Sequence, residues 1–343
     1  MNNAGVDMEL VRDKFDLSSY LQQQNDDYRL GSPAQITSHV VDMFYGAKRD
    51  EGALMPWPKT HKLFKFRPGE VTVWCGINGH GKSMLTSQVA LELAWNGEKP
   101  CIASMEMLPK RTLWRMVRQA SGSSEPSIQY IKQFLGWLDR KLYIFDHHGT
   151  VNSRLITGAI RYSALTIGVK HFFIDSLMKT CKGEDDYNGQ KDFVDEVCSI
   201  ARELNMHIHL IHHVRKGENE FTIPGKFDGK GSGAIADQVD NWITCWRNKR
   251  KEAALAANAT DAKAMNEPDC VLNIDKQRNG EWEGRIGLWY DPSSMSYIEQ
   301  RGQTPRKYEF ELEEVCVRDE PKSIGHIGTD IPAEGQSLQA AQG

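Results

Sequence analysis

An eight-residue stretch, GINGHGKS (76–83), sets the tightest limit on how this chain can fold. It fits the pattern G-x-x-x-x-G-K-[ST] through Gly76, Gly81, Lys82 and Ser83, and Gly79 adds a further position at which backbone can approach a ligand closely. Glycines at these places permit a tight turn that points successive N–H groups inward as an anion nest, and a following helix brings its positive end to the same spot. The pattern predicts that Lys82 reaches the β- and γ-phosphates of a nucleotide and that Ser83 ligates Mg²⁺, with Asn78, His80 and Met84 completing the nucleotide-binding stretch. Such a loop works only between a strand and a helix. GEVTVWC (69–75) is a short apolar run entered from Pro68-Gly69, and KSMLTSQVALELAW (82–95) carries Leu85, Val89, Ala90 and Leu93 at helical spacing. The required order of strand, loop and helix is therefore met.

The same alternation continues. Short apolar runs predict strands at 70–75, 100–105, 142–146, 171–175, 206–211, 241–246, 270–275 and 285–290, with helical patterns between most of the first five. This predicts an α/β fold: a mostly parallel, twisted sheet flanked by helices, with ligands at the carboxyl ends of the strands and an antiparallel edge. Residues 1–60 are polar and Pro-rich at their end and read as an arm containing one helix, over 36–49. Residues 61–302 read as the nucleotide-binding domain, and 303–343 as an acidic tail expected to be disordered. RNKRKEAALAANATDAKAMNEPD (247–269) reads as a surface insertion without an assigned role.

Composition narrows the class. A 40% hydrophobic content over 343 residues supports a sizeable core. There is no run of eighteen apolar residues and no secretory signal, so a cytoplasmic, membrane-free protein is expected. Seven cysteines without a C-x-x-C pair suit a reducing compartment and do not match common zinc spacings. A net charge of −4 argues against a globally basic nucleic-acid binder but leaves room for a local cationic surface.

Two acids stand at strand ends. HFFIDS (171–176) ends in Asp175, placed to hold Mg²⁺ or its water, and CIASMEM (101–107) puts Glu106 at a general-base position, although either acid could instead cap a loop or a helix. The cluster HIHLIHH (207–213) lacks accompanying acid or cysteine spacing for a metal, and strand alternation splits His212 from His213. In KQRNG (276–280), Lys276 and Arg278 are two apart and expected on one side of a strand end.

Taken in order, SMEM, FFIDS, LIHHVRK, GKGSGAIADQVDNWITCWR and KQRNG resemble the RecA-like ATPase domain of hexameric replicative helicases of the DnaB type, including the phage primase-helicase and Twinkle branch. The resemblance spans about 63–300. It implies Glu106 as catalytic base, Asp175 as the Walker B acid, His213 as γ-phosphate sensor with His212 as the alternative alignment, and Arg278 with Lys276 as a finger acting in the neighbouring subunit's site. It also implies ATP and Mg²⁺ as cofactors, a hexameric ring, and primase, polymerase or a loader as further partners on single-stranded or forked DNA. The resemblance further implies DNA contacts from the loops at 178–192 and 214–233. The second carries Arg215, Lys216, Lys226 and Lys230, with Lys230 standing where the family has Arg, whereas the first carries Glu184, Asp185 and Asp186. The stretch before residue 61 is too short for the amino-terminal domain or primase of family members, so primase activity is not expected. The helix at 36–49 would correspond to the family's linker helix. The leading reading is an ATP-dependent, phage-like helicase motor, and the rival is a RecA-fold ATPase that assembles on DNA without unwinding.

Overall fold

The computed structural model describes residues 34, 37–45, 52–147, 149, 151–181, 186–214, 219–229 and 232–310. The strands are β1 (Val71–Cys75), β2 (Pro100–Ser104), β3 (Tyr143–Phe145), β4 (His171–Asp175), β5 (His207–Ile211), β6 (Asn241–Arg247), β7 (Cys270–Gln277), β8 (Gly284–Asp291) and β9 (Ser296–Ile298). The helices are α1 (Thr37–Tyr45), α2 (Lys82–Trp95), α3 (Pro109–Ser121), α4 (Ile128–Leu138), α5 (Ser153–Tyr162), α6 (Tyr187–Glu203), α7 (Ser232–Gln238), α8 (Lys249–Ala257) and α9 (Ala262–Asn266).

The strands form one sheet in the order β3-β2-β4-β5-β1-β6-β7-β8-β9. Pairing is parallel from β3 through β6 and antiparallel from β6 through β9. The mostly parallel sheet and its antiparallel edge are as the sequence predicts. The ninth strand lies outside that prediction, because three residues are too few to show a period.

Every residue of β1, β2, β4 and β5 is buried, which is why these strands read as near-continuous apolar runs rather than as alternations. Pleating divides their side chains between two faces. Val71, Val73 and Cys75 pack in one layer with Ile156 and Ile160 of α5 and Phe193, Val194 and Val197 of α6. Trp74 faces the other layer, with Leu85, Val89 and Leu93 of α2, Met116 of α3 and Phe134 of α4.

Three buried histidines lie within this second layer. Thr72 Oγ1 meets His207 Nε2 at 2.8 Å, and His207 Nδ1 meets the Arg67 carbonyl at 2.7 Å. Because a carbonyl only accepts, His207 carries its proton on Nδ1 and accepts from the Thr72 hydroxyl. Trp74 Nε1 donates to His209 Nδ1 at 3.2 Å, so His209 Nε2 donates in turn to His171 Nδ1, also at 3.2 Å. Phe66 packs edge-on to all three rings, and Phe173 stacks on His209 at 3.9 Å. Burial holds all three below the ordinary histidine range, His207 at about 4.

The chain joins this core before residue 61. Ala53 pairs with Phe66, Met55 and Trp57 are buried, and Trp57 Nε1 donates to the Tyr297 carbonyl at 2.8 Å. At the other end, packing continues past residue 303, where the sequence places the start of the tail. Tyr308 donates from its hydroxyl to Glu92 at 2.6 Å, and Phe310 sits among Trp95, Trp137 and Phe134. Two aromatic residues in an otherwise polar stretch supply that docking. The rest of the expected tail, 311–343, and most of the arm lie outside the described residues. The helix predicted over 36–49 is α1, on which Val40, Val41, Phe44 and Tyr45 are exposed.

Candidate active site

Four parallel strands deliver the site. Their carboxyl ends carry the loop 76–81 after β1, Glu106 after β2, Asp175 at the end of β4 and His213 after β5. Glu106 and Asp175 are distant in sequence but adjacent in space because β2 and β4 pair with Ser104 opposite Asp175, and Met105 N–H donates to the Asp175 carbonyl at 2.8 Å. A cleft of about 550 Å³ is lined by Asn78, Gly79, Gly81, Lys82, Ser83, Met84, Glu106, Arg115, Asp175, Ser176 and His213, among others.

The loop keeps its shape because two glycines cannot be replaced. Gly81 caps α2 with φ +85°, in the left-handed region, and a Cβ there would come within 2.4 Å of the Tyr297 hydroxyl. A Cβ on Gly76 would lie 2.4 Å from the Cys245 carbonyl oxygen. Lys82 is buried and donates to the carbonyls of Gly76 at 2.7 Å and Ile77 at 3.0 Å. Burial lowers its pKa, opposed by nearby acids including Asp175 and Glu106. These carbonyls hold the ammonium at the mouth of the anion nest, where phosphate oxygens could replace them.

Ser83 Oγ donates to Asp175 Oδ2 at 2.7 Å. Burial raises the Asp175 pKa, with the Ser83 hydrogen bond opposing the shift. A buried carboxylate beside a hydroxyl is a hard oxygen donor set, and a divalent cation would relieve the desolvation of the acid, so the pair fits Mg²⁺. Glu106 is half-exposed, accepts from Ser176 Oγ at 3.1 Å and lies 4.0 Å from His213 Nε2. Of the two alternative histidines, His213 borders the cleft, whereas His212 is fully buried and meets Trp242 edge-on.

The structure does not bring every predicted residue into this cleft. His80 is buried and turned toward β6, accepting from Arg247 N–H on Nδ1 at 3.2 Å. Lys276 and Arg278 point to the end of α7. Lys276 Nζ donates to the Ala236 carbonyl at 2.6 Å, and Arg278 Nη1 pairs with Asp240 at 3.0 Å. Lys226 is part-buried, with Nζ 5.5 Å over the Phe227 ring. Arg215, Lys216, Lys230, Glu184 and Asp185 lie outside the described residues.

Several residues of the cleft escape sequence reasoning, Ser176 and Arg115 among them. Arg115 of α3 donates from Nη1 to the Ser83 carbonyl at 2.9 Å and adds a cation near Asp175. One turn on, Gln119 Nε2 donates to the Met84 carbonyl at 3.0 Å, so α3 grips the first turn of α2 twice. A signal is present all the same: Thr112, Arg115 and Gln119 fall on the helical face that includes the buried Met116, an unusual place for a cation.

Residues 57–219 match the family described as an AAA domain. One solved structure, described as an ATPase domain, superposes with a TM-score of 0.65 at 15% identity, covering 79% of this chain and 99% of that one. A DnaB-like replicative helicase, whose structure was described together with its interactions with primase, superposes with a TM-score of 0.60 at 16% identity, covering 79% of this chain and 67% of that one. The chain therefore has the RecA-like fold of these ATPase domains, and its residues 57–219 are similar to an AAA domain.

Proposed function

We propose that this chain is an ATP-dependent DNA helicase motor of the replicative DnaB type, translocating on single-stranded DNA and unwinding forked duplex. The observation that most supports it is the convergence of Lys82, Ser83, Glu106, Asp175 and His213, delivered by four strand ends, on one cleft. In this reading Lys82 leaves the Gly76 and Ile77 carbonyls for the β- and γ-phosphate oxygens of ATP. Ser83 and Asp175 hold Mg²⁺, which when bound neutralises charge on the same oxygens. Glu106 takes the proton of the attacking water. His213 reports the γ-phosphate by a hydrogen bond.

Arg278 and Lys276 act across a subunit boundary, which requires a ring, most simply a hexamer, and α1 is the element that would bridge to the next subunit. Lys226 with Lys230, Arg215 and Lys216 tracks successive phosphates of one strand. The reading places the protein in the cytoplasm, with a primase, polymerase or loader as further partners. No described helix is long and apolar enough to cross a membrane. Strand displacement on forks of both polarities, with and without ATP, is the test. Hydrolysis stimulated by single strands with no displacement on either fork would replace the motor by an ATPase that only assembles on DNA.

A further inference from the structure

The excursion 247–269 is a built unit. Asn248 caps α8 by accepting from Lys251 N–H at 3.0 Å, and its amide donates to the Pro268 carbonyl at 3.0 Å. Lys251 Nζ pairs with Asp269 at 2.7 Å and donates to the Glu267 carbonyl at 2.8 Å, so α8 and α9 close on one another. This hairpin grows from the end of β6 between two functional segments. On one side, Arg247 N–H donates to Nδ1 of His80, inside the phosphate loop. That bond places the ring proton on Nε2, a buried donor with no partner among the described residues. On the other side, Trp246 Nε1 donates to the Glu220 carbonyl at 2.9 Å, and Arg250 Nε donates to the Phe221 carbonyl. Glu220 and Phe221 lie near the start of the described segment 219–229 that leads to Lys226. Glu220 is also the main charge opposing the effect of burial on His80.

The phosphate loop, the hairpin and the segment after β5 thus form one hydrogen-bonded series. His80 is the member that a bound nucleotide would disturb, because it stands between the two glycines that shape the nest. We propose that the end of β6 and the hairpin that follows it transmit nucleotide state from the phosphate loop to the segment 219–229, with Trp246 of the strand and Arg250 of the hairpin as positioning residues. The inference rests on reading that segment as the single-strand contact.

The test compares wild type with Arg250→Ala, at an exposed position, and Trp246→Phe, which keeps an aromatic side chain but removes the indole N–H together with part of the ring volume. Arg250→Lys, which retains a donor, serves as the rescue. Amide hydrogen exchange over 219–229 is read with and without Mg²⁺ and a non-hydrolysable ATP analogue, and ATPase is read with and without oligo-dT. In wild type, the analogue should change exchange over 219–229. Both variants should lose that change and show a ~2- to 30-fold drop in oligo-dT stimulation, the range of coupling energies between linked sites. Their basal hydrolysis should stay near wild type, and Arg250→Lys should recover part of the response. A wild-type segment indifferent to the analogue, or variants that respond like wild type, overturns the proposal. If the variants abolish the exchange response but oligo-dT neither binds nor stimulates the wild type, the coupling stands and the DNA reading falls. If oligo-dT stimulates all forms equally, the DNA reading stands and the coupling falls.

Discussion

The buried histidines make the fold sensitive to mild acid in a way that can be calculated. His207 stays neutral in the folded chain down to about pH 4, whereas in the unfolded chain it titrates near 6.5. Between those values the unfolded state binds a proton that the folded state refuses, so stability is fully present above about 6.5 and lost as pH falls. At pH 5 the gap is about 1.5 units at about 1.4 kcal/mol per unit, or a loss of about 2 kcal/mol from His207 alone. The cause is structural: burial withholds the water that would solvate an imidazolium, and the nearby Arg67 charge adds to it, against the opposing hydrogen bond to the Arg67 carbonyl. His171 and His209, also held low by burial, act in the same direction.

Carboxylates oppose them. Burial raises Asp275 to about 6 and shifts Asp175 and Glu98 upward, so these groups take protons first in the folded state and gain stability as pH falls. The net slope therefore mixes signs, and a comparison with His207→Gln isolates the histidine. Glutamine keeps hydrogen-bonding capacity but does not titrate. Urea unfolding followed by tryptophan fluorescence at pH 7.5 and 5 should show His207→Gln losing about 2 kcal/mol less than wild type over that interval. Equal losses in the two proteins would refute the assignment of a neutral, acid-sensitive His207. β4 and β5 also carry Asp175 and His213 at their far ends, so ATPase should fail together with the fold.

Lys82→Ala should abolish hydrolysis and weaken ATP binding, because the β/γ oxygens lose their main side-chain counter-charge; near wild-type turnover in a steady-state assay would remove the phosphate-loop assignment. Glu106→Gln should retain nucleotide affinity while slowing hydrolysis by about 10²- to 10⁴-fold, and a silent Glu106→Gln beside a damaging Asp175→Asn would move the base elsewhere. Arg115→Met should shift the Mg²⁺ dependence of hydrolysis to higher concentration, with Arg115→Lys restoring part of it, since Arg115 grips the Ser83 carbonyl and so seats Ser83; an unchanged Mg²⁺ midpoint would leave Arg115 a packing residue. Lys226→Ala should flatten the log–log salt dependence of single-strand binding by about 0.7, one phosphate contact's worth, and an unchanged slope would place the contacts on other cations.

Much of the fold is legible because a parallel sheet covered on both faces makes each of its strands a dense apolar run. β1 to β6 are such runs, and they and the two longer strands of the antiparallel edge appear at nearly their observed limits. The edges are harder to read. β9 has three residues, and the docking of Trp57, Tyr308 and Phe310 depends on partners more than 150 residues away, Tyr297 and Glu92 among them. The phosphate loop carries its own pattern, but its side chains do not all follow it. His80 sits inside the motif and faces away from the cleft, because its partner is the Arg247 backbone, which only the pairing of β6 beside β1 brings near.

In Lys276 and Arg278 the spacing gives the common side but not the partner. Two residues apart at a strand end, both turn to one side although the pairing of β6 with β7 shifts register between Trp242 and Ile243, opposite the step from Lys276 to Ile274. Both cations donate to the carbonyls ending α7. A helix carboxyl end attracts cations in any case. In the ring proposed above, Arg278 must exchange this pose for a neighbour's phosphate. Asp240, its partner, also accepts Val71 N–H at 3.0 Å, so departure of the guanidinium leaves the buried carboxylate with a hydrogen bond. Leaving also costs Arg278 its hydrogen bonds to the Asp237 and Gln238 carbonyls, and it takes the cation from a buried carboxylate, so the neighbour's phosphate must offer more than this pose does. Arg278 would then change partners only when subunits seat, and α7, which it leaves, closes the segment that carries Lys226.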